Sequence, residues 1–99
     1  MTVRAVARQY ALALFDVARK GRMTDRVGRE LAEFVALVAS HEELSAVFAN
    51  TAIPAAAKRA IVDRLLQDLP GLSPEFGRLL TLLADRDRLM HLDAIATIF

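Results

Sequence analysis

Hydrophobic side chains recur along this chain at intervals of three and four residues, the spacing that places them on one face of an α-helix. The first such segment extends from Val3 to Lys20 and ends at Gly21. A second begins near Thr24, a residue that can cap the start of a helix. The apolar positions of the two segments are Val3, Val6, Ala7, Tyr10, Ala11, Leu14, Val17 and Ala18, then Val27, Leu31, Phe34, Val35 and Val38. Both segments predict helices with one buried face.

The second segment also carries oppositely charged residues four positions apart, Arg26 with Glu30 and Arg29 with Glu33. Such pairs lie on the same side of a helix and stabilise it weakly. They indicate a solvated face. Substitutions at Glu30 and Glu33 are therefore expected to change almost nothing.

Two shorter helices are predicted next from their end signals. Ser40 and Glu43 have the spacing of a capping box, in which each side chain bonds a backbone N–H at the start of a helix. Pro54 suits the first turn of a fourth helix, where its missing N–H is no loss. The buried side of the third helix is then Leu44, Val47 and Phe48, and that of the fourth is Ile61, Val62, Leu65, Leu66 and Leu69.

The last part of the chain predicts two more helices. Ser73-Pro74-Glu75 combines a cap, a first-turn proline and an acidic residue at the positive end of the helix dipole. The fifth helix should therefore run from about Pro74 to Ala84. A charged connector at residues 85–88 precedes a sixth apolar stripe, which begins at Leu89 and is cut short at Phe99.

Six helices with short loops and no strands predict an all-α fold, a compact six-helix bundle. The chain has 99 residues, 55% of them hydrophobic, which is enough for one core and one domain. Charges interrupt every stretch of the roughly 18 to 20 residues that a membrane span requires, so direct membrane insertion is not expected. We expect residues 1–99 to form a single helical domain that is a monomer in isolation.

The residue types needed for most enzyme chemistry are missing or scattered. The chain has no Cys and its glycines are isolated from one another, so neither thiolate sites nor phosphate-binding loops are expected. His41 and His91 belong to different helices and have no second ligand one turn away, which argues against a metal site. Asp85 and Asp87 alternate with arginines, where neutralised surface charge and helix capping explain them better than catalysis. We therefore expect no enzyme activity, no cofactor and no metal.

A basic cluster lies around the first interhelical turn and consists of Arg19, Lys20, Arg22, Arg26 and Arg29. It is the best argument in this sequence for binding RNA or an anionic membrane surface. Acidic residues are interleaved with these bases, no aromatic side chain stands among them to stack on a nucleotide, and the net charge is only +1. Solvated helix ends explain the cluster better, because cations near a helix C-terminus complement its dipole. A helical RNA-binding module is the alternative.

Two of the predicted helices carry more than one candidate packing face. On the first helix, Leu12 and Phe15 fall outside the main stripe. On the fifth, a stripe of small residues adjoins Leu80, and its members are Gly77, Thr81 and Ala84. Small side chains let another helix approach closely, and Gly inside a helix is unfavourable unless something uses it. Either these faces are buried inside the bundle, or together they form a groove for a partner helix.

Two segments resemble parts of a known protein family. Val6–Phe15, with the sequence VARQYALALF, resembles the opening of the δ subunit of bacterial F-type ATP synthase, a relative of the mitochondrial oligomycin sensitivity conferral protein. Leu79–Leu89, LLTLLADRDRL, resembles the region before that family's sixth helix. Gln9 stands where the family commonly has Pro, and Asp87 where it often has Gly. The resemblance covers the whole chain as the family's N-terminal domain, without the C-terminal portion.

The resemblance implies a non-catalytic part in the stator, the assembly that holds the catalytic head still while the rotor turns. A groove between the first and fifth helices would receive the amphipathic N-terminal helix of an α subunit, and the peripheral-stalk b subunit would bind the missing C-terminal portion. The protein would then be cytoplasmic and peripheral on the inner face of the cell membrane, as part of the ATP synthase complex, with no nucleic acid as partner. The implied partner-binding residues are Arg8, Ala11, Leu12, Phe15, Gly77, Leu80, Thr81 and Ala84.

Overall fold

Six α-helices and one short 3₁₀ turn make up the computed structural model, which describes residues 2–99 and has no strand in that range. The helices are α1 (Val3–Lys20), α2 (Thr24–Ala39), α3 (Glu42–Ala49), α4 (Ala55–Asp68), α5 (Pro74–Asp85) and α6 (Leu92–Ile98), and the 3₁₀ turn is Leu89–His91. The predicted all-α six-helix fold is confirmed. None of the helices described is long and apolar enough to cross a membrane.

The start of α5 follows its sequence signals. Ser73 Oγ accepts a hydrogen bond from the Phe76 N–H at 3.3 Å, and Pro74 is the first helical residue. Thr2 caps α1 in the same way by accepting from the Ala5 N–H at 3.2 Å. Each cap satisfies a backbone donor that has no partner inside its own helix.

Three other helix starts differ from the prediction. Thr24 is the first helical residue of α2 rather than its cap, and Pro54 precedes α4 rather than lying in its first turn. The predicted capping box at α3 is absent, because the Ser40 hydroxyl donates to the Leu37 carbonyl at 2.8 Å and so belongs to the end of α2. A Ser hydroxyl can bond several nearby backbone groups, and here it bonds a carbonyl of α2 instead of an N–H of α3.

The ends of α1 and α5 share one backbone arrangement. In each, the second residue after the helix has a positive φ, 56° at Arg22 and 53° at Asp87. The returning hydrogen bonds are Met23 N–H to Ala18 O and Arg88 N–H to Leu83 O, both at 2.8 Å. This is the Schellman motif, in which glycine usually takes the left-handed position. Gly21 does end α1 as predicted, but it lies one residue too early for that position and has φ −86°.

α5 occupies the middle of the packing. It lies between α4 on one flank and α1 on the other, while α6 packs against α1 and α2. The aromatic rings of Phe34 and Phe76 meet edge to face at 5.7 Å and join α2 to α5. The side chains of the core include Ala7, Leu14, Val27, Leu31, Phe34, Val62, Phe76, Leu80, Leu83 and Ile95.

Glu30 is buried, so the prediction that it lies on a solvated face is wrong. Its carboxylate accepts hydrogen bonds from the Ser73 N–H at 2.8 Å and from the Ser73 hydroxyl at 2.6 Å. Arg26 lies 3.5 Å from the same carboxylate and also donates to the Gly71 carbonyl at 2.9 Å. The Arg26 and Glu30 side chains of α2 therefore hold the loop before α5 against that helix. Glu33 is exposed, as predicted.

Candidate functional site

The small-residue stripe of α5 faces α4 and not an open groove. A Cβ added at Gly77 would lie 3.8 Å from a methyl group of Leu66 on α4. Leu80 and Ala84, which belong to the same flank, are completely buried. Gly77 and Thr81 are partly exposed. Of the two alternatives for this stripe, burial inside the bundle is the one observed, because α4 uses the close approach that small side chains permit.

The second predicted face, on α1, lies away from α5. Leu12 and Phe15 are 55% and 41% exposed, and Arg8 is exposed as well. The ring of Phe15 meets the ring of Phe99 edge to face at 5.4 Å, which places this side of α1 next to α6. Ala11 is buried in the core. The eight predicted residues therefore do not line one common surface.

A groove of about 190 Å³ does lie between α1 and α5, on the flank of α5 opposite α4. Two of its apolar residues are widely open to solvent, Val17 at 47% and Leu82 at 38%. The complete lining is Tyr10, Ala13, Leu14, Val17, Glu75, Arg78, Leu79 and Leu82. We refer to this feature as the α1/α5 groove.

The α1/α5 groove lies between the two helices that the resemblance implies, but none of its lining residues is among the eight implied partner-binding residues. Val17 belongs to the predicted buried stripe of α1, and Leu82 is not among the predicted site residues. One signal was available: the α1 stripe from Val3 to Val17 is broader than a single neighbouring helix covers. The periodicity alone does not show which of these apolar positions the neighbouring helices leave exposed.

One end of the groove is marked by a polar cluster around Tyr10. The phenol oxygen of Tyr10 accepts hydrogen bonds from Arg86 Nη1 at 3.2 Å and from Arg88 Nη1 at 3.1 Å. The Arg88 guanidinium also lies 5.9 Å from the centre of the Tyr10 ring. Burial alone would raise the pKa of Tyr10, but the hydrogen bonds from Arg86 and Arg88 outweigh it and lower that pKa below its ordinary value.

The connector that carries these arginines is fixed to α4. Asp87 pairs with the completely buried ammonium of Lys58, which also donates to the Asn50 carbonyl at 2.8 Å. Asp85 accepts two hydrogen bonds from Arg59 Nη1, at 2.9 and 2.7 Å. Both aspartates are neutralised, as predicted, but by Lys58 and Arg59 of α4 and not by the neighbouring arginines, and neither caps a helix with its side chain.

Comparison with known proteins identifies the family. The model of the ATP synthase delta (OSCP) subunit family matches residues 6–99. The chain belongs to this family. The two recognised segments of this delta/OSCP chain form α1 and the end of α5 with its connector, and these border the α1/α5 groove.

Curated relatives of this delta/OSCP chain include bacterial and mitochondrial proteins. ATP synthase subunit delta of Myxococcus xanthus is 36% identical over 96 residues, covering 96% of this chain and 53% of the relative. The protein of the same name from Citrifermentans bemidjiense is 38% identical over 96 residues, covering 97% and 53%. ATP synthase subunit 5, mitochondrial, of Eremothecium gossypii is 34% identical over 87 residues, covering 88% and 42%. The chain thus spans about half the length of these relatives, and no solved structure matches it.

The basic cluster of this delta/OSCP chain is largely paired with its own carboxylates. Arg19 and Lys20 both lie 3.1 Å from Asp16, and their hydrogen bonds lower the pKa of that carboxyl, Lys20 contributing most. Arg26 is bonded to Glu30 and to the Gly71 carbonyl. These pairs favour the interpretation of the cluster as helix ends over an RNA-binding surface.

Proposed function

We propose that this delta/OSCP-family chain binds the N-terminal helix of an ATP synthase α subunit in the α1/α5 groove. The observation that carries the proposal is the exposure of Val17 and Leu82, two large apolar side chains on facing flanks of one groove. An amphipathic helix recognises such a groove by laying its apolar face into it. The polar edges of the groove, including Glu75 and Arg78, would then meet the solvated side of that helix.

The proposed role is mechanical and non-catalytic. By attaching to the catalytic head, the domain would help hold that head still during proton-driven ATP synthesis. Contacts with the peripheral-stalk b subunit would be made by the C-terminal portion that the resemblance implies. The chain would accordingly be peripheral to the membrane on its inner face, as part of the assembled complex.

The groove is tested by charge substitutions at its two exposed apolar residues. Val17→Asp and Leu82→Asp should each weaken binding of an α-subunit N-terminal peptide, because a carboxylate buried in an apolar contact costs about 1 to 3 kcal/mol. That cost corresponds to a rise in Kd of roughly fivefold or more. Isothermal titration calorimetry measures it and should also show the negative heat-capacity change of apolar burial.

Leu12→Asp is the matched control, since Leu12 is 55% exposed on the other side of α1. It should leave the affinity unchanged while all three variants melt like the parent. Loss of binding in Leu12→Asp alone would place the partner on the Leu12 and Phe15 face instead. Failure of the unmodified peptide to bind, together with tight RNA binding that falls steeply with salt, would favour the RNA-binding alternative.

A further inference from the structure

We propose that the connector end of the α1/α5 groove receives a carboxylate of the partner helix, an inference that rests on the function proposed above. The geometry points to it through the convergence of Arg86 and Arg88 on the Tyr10 phenol, 3.2 and 3.1 Å away. Tyr10 is part of the groove lining, and the two arginines that bond its hydroxyl lie beside that lining. Arg86 is exposed and Arg88 is half-buried, which leaves both guanidiniums within reach of a ligand.

Neither guanidinium is neutralised within residues 2–99. Arg86 and Arg88 take part in none of the ion pairs of that range, because the aspartates beside them are held by Lys58 and Arg59 of α4. Two positive charges are thus gathered on the hydroxyl of one phenol. Guanidinium groups present planar pairs of donors that match the two oxygens of a carboxylate.

The Tyr10 hydroxyl supplies one more donor to the same place. Its oxygen accepts from both arginines, which leaves its own hydrogen free for a further acceptor. A partner helix lying along the groove that Tyr10 lines would partly shield an incoming carboxylate from water. Shielding strengthens charge-assisted hydrogen bonds relative to those at an open surface. An alternative role for the two arginines is to stabilise the C-terminal end of the α5 helix dipole, which needs no ligand. The experiment below distinguishes this role from carboxylate binding.

The test uses the whole chain and a synthetic peptide of the N-terminal segment of the α subunit from the same organism. A series of peptides replaces each Asp or Glu singly by its amide. One of these replacements and the Arg86→Gln variant should each weaken binding about tenfold, and together they should cause little further loss. Arg29→Gln, an exposed arginine of α2, serves as the control and should bind normally.

The alkaline titration of Tyr10 gives a second readout that a purely structural role would not move. A carboxylate placed beside the phenol disfavours its ionised form, so the bound peptide should raise the pKa of Tyr10. The amide peptide that binds weakly should, at saturation, leave that pKa lower than the parent peptide does. Arg88→Gln provides a second variant, and if it fails to fold, the exposed Arg86 decides alone.

Two failures are distinguishable. If the unmodified peptide does not bind, the proposed function falls and the carboxylate site falls with it. If the peptide binds but neither the amide series nor Arg86→Gln changes the affinity or the titration of Tyr10, the groove stands and the carboxylate site is overturned.

Discussion

At the scale of single residues, Arg22 and Asp87 share one strained backbone conformation, but only the side chain of Asp87 compensates for that strain. Both have a positive φ at the end of a helix, which is unfavourable for a residue with a Cβ. Arg22 is exposed and takes part in no ion pair within the described residues, so its side chain does nothing to offset the strain. Asp87 places its carboxylate on the buried Lys58 ammonium, an interaction that glycine could not provide.

Glycine substitutions at these two positions should therefore have opposite effects. Arg22→Gly is expected to raise the free energy of unfolding by about 1 kcal/mol, because it relieves the left-handed strain. Asp87→Gly relieves the same strain but leaves Lys58 buried without a counter-charge, for a net loss of about 2 kcal/mol. Urea denaturation of both variants beside the parent measures the difference. Equal stabilisation by both would show that the Lys58–Asp87 pair contributes nothing.

Tyr10 is the only tyrosine of the chain, so its ionisation can be followed by tyrosinate absorbance without interference. Its pKa should lie below the ordinary value of about 10 and should rise in Arg86→Gln, which removes one donor. The lowered pKa also predicts that the free energy of unfolding increases as the pH rises from the folded-state pKa toward 10. Below the folded-state pKa, Tyr10 contributes no such pH dependence. A midpoint at or above that of free tyrosine would contradict this account.

At the scale of elements, α5 is held at both ends by residues of other helices. Glu30 of α2 binds Ser73 at its start, and Lys58 and Arg59 of α4 bind the aspartates at its end. Since α4 also covers one flank, α5 has little freedom to move relative to its neighbours. The opposite flank is thereby presented to α1 at a defined distance, which is what a preformed groove requires.

The anchor at the start of α5 predicts a contrast between two glutamates of α2. Glu30→Gln should lower the free energy of unfolding by about 1 to 2 kcal/mol, because the amide cannot accept both Ser73 hydrogen bonds with equal strength. Glu33→Gln, four residues away from Arg29 on the exposed side, should stay within about 0.5 kcal/mol of the parent. Thermal or urea unfolding measures both. Equal stability of the two variants would mean that the Glu30–Ser73 contact does not stabilise the fold.

At the scale of the whole molecule, the bundle covers most of its small-residue stripe and leaves the α1/α5 groove open. The isolated chain should be a helical monomer that unfolds in a single cooperative step, because the described helices share one core and the open groove is small. Far-ultraviolet circular dichroism and sedimentation equilibrium measure the two properties. A stable dimer that Leu82→Asp converts to monomer would show instead that the groove pairs two copies of this chain.

The number of helices, their order and most of their bounds could be predicted from the sequence alone, because apolar periodicity and the Ser73-Pro74 signal act through neighbouring residues. The same information gave the angular position of each side chain on its helix. It did not determine which neighbouring helix packs against each flank of a helix. The sequence therefore allowed an open surface at Gly77, which α4 covers. It predicted a buried position for Val17, which lies on the open groove.

Tertiary structure decided every polar contact that shapes the groove. Glu30 and Ser73 are separated by 43 residues, Lys58 and Asp87 by 29, and Tyr10 and Arg86 by 76. A charged residue is tolerated in the interior only when a partner compensates its lost hydration. Whether Glu30 or Lys58 is buried thus depends on which distant residue folding brings beside it, and no local pattern contains that information.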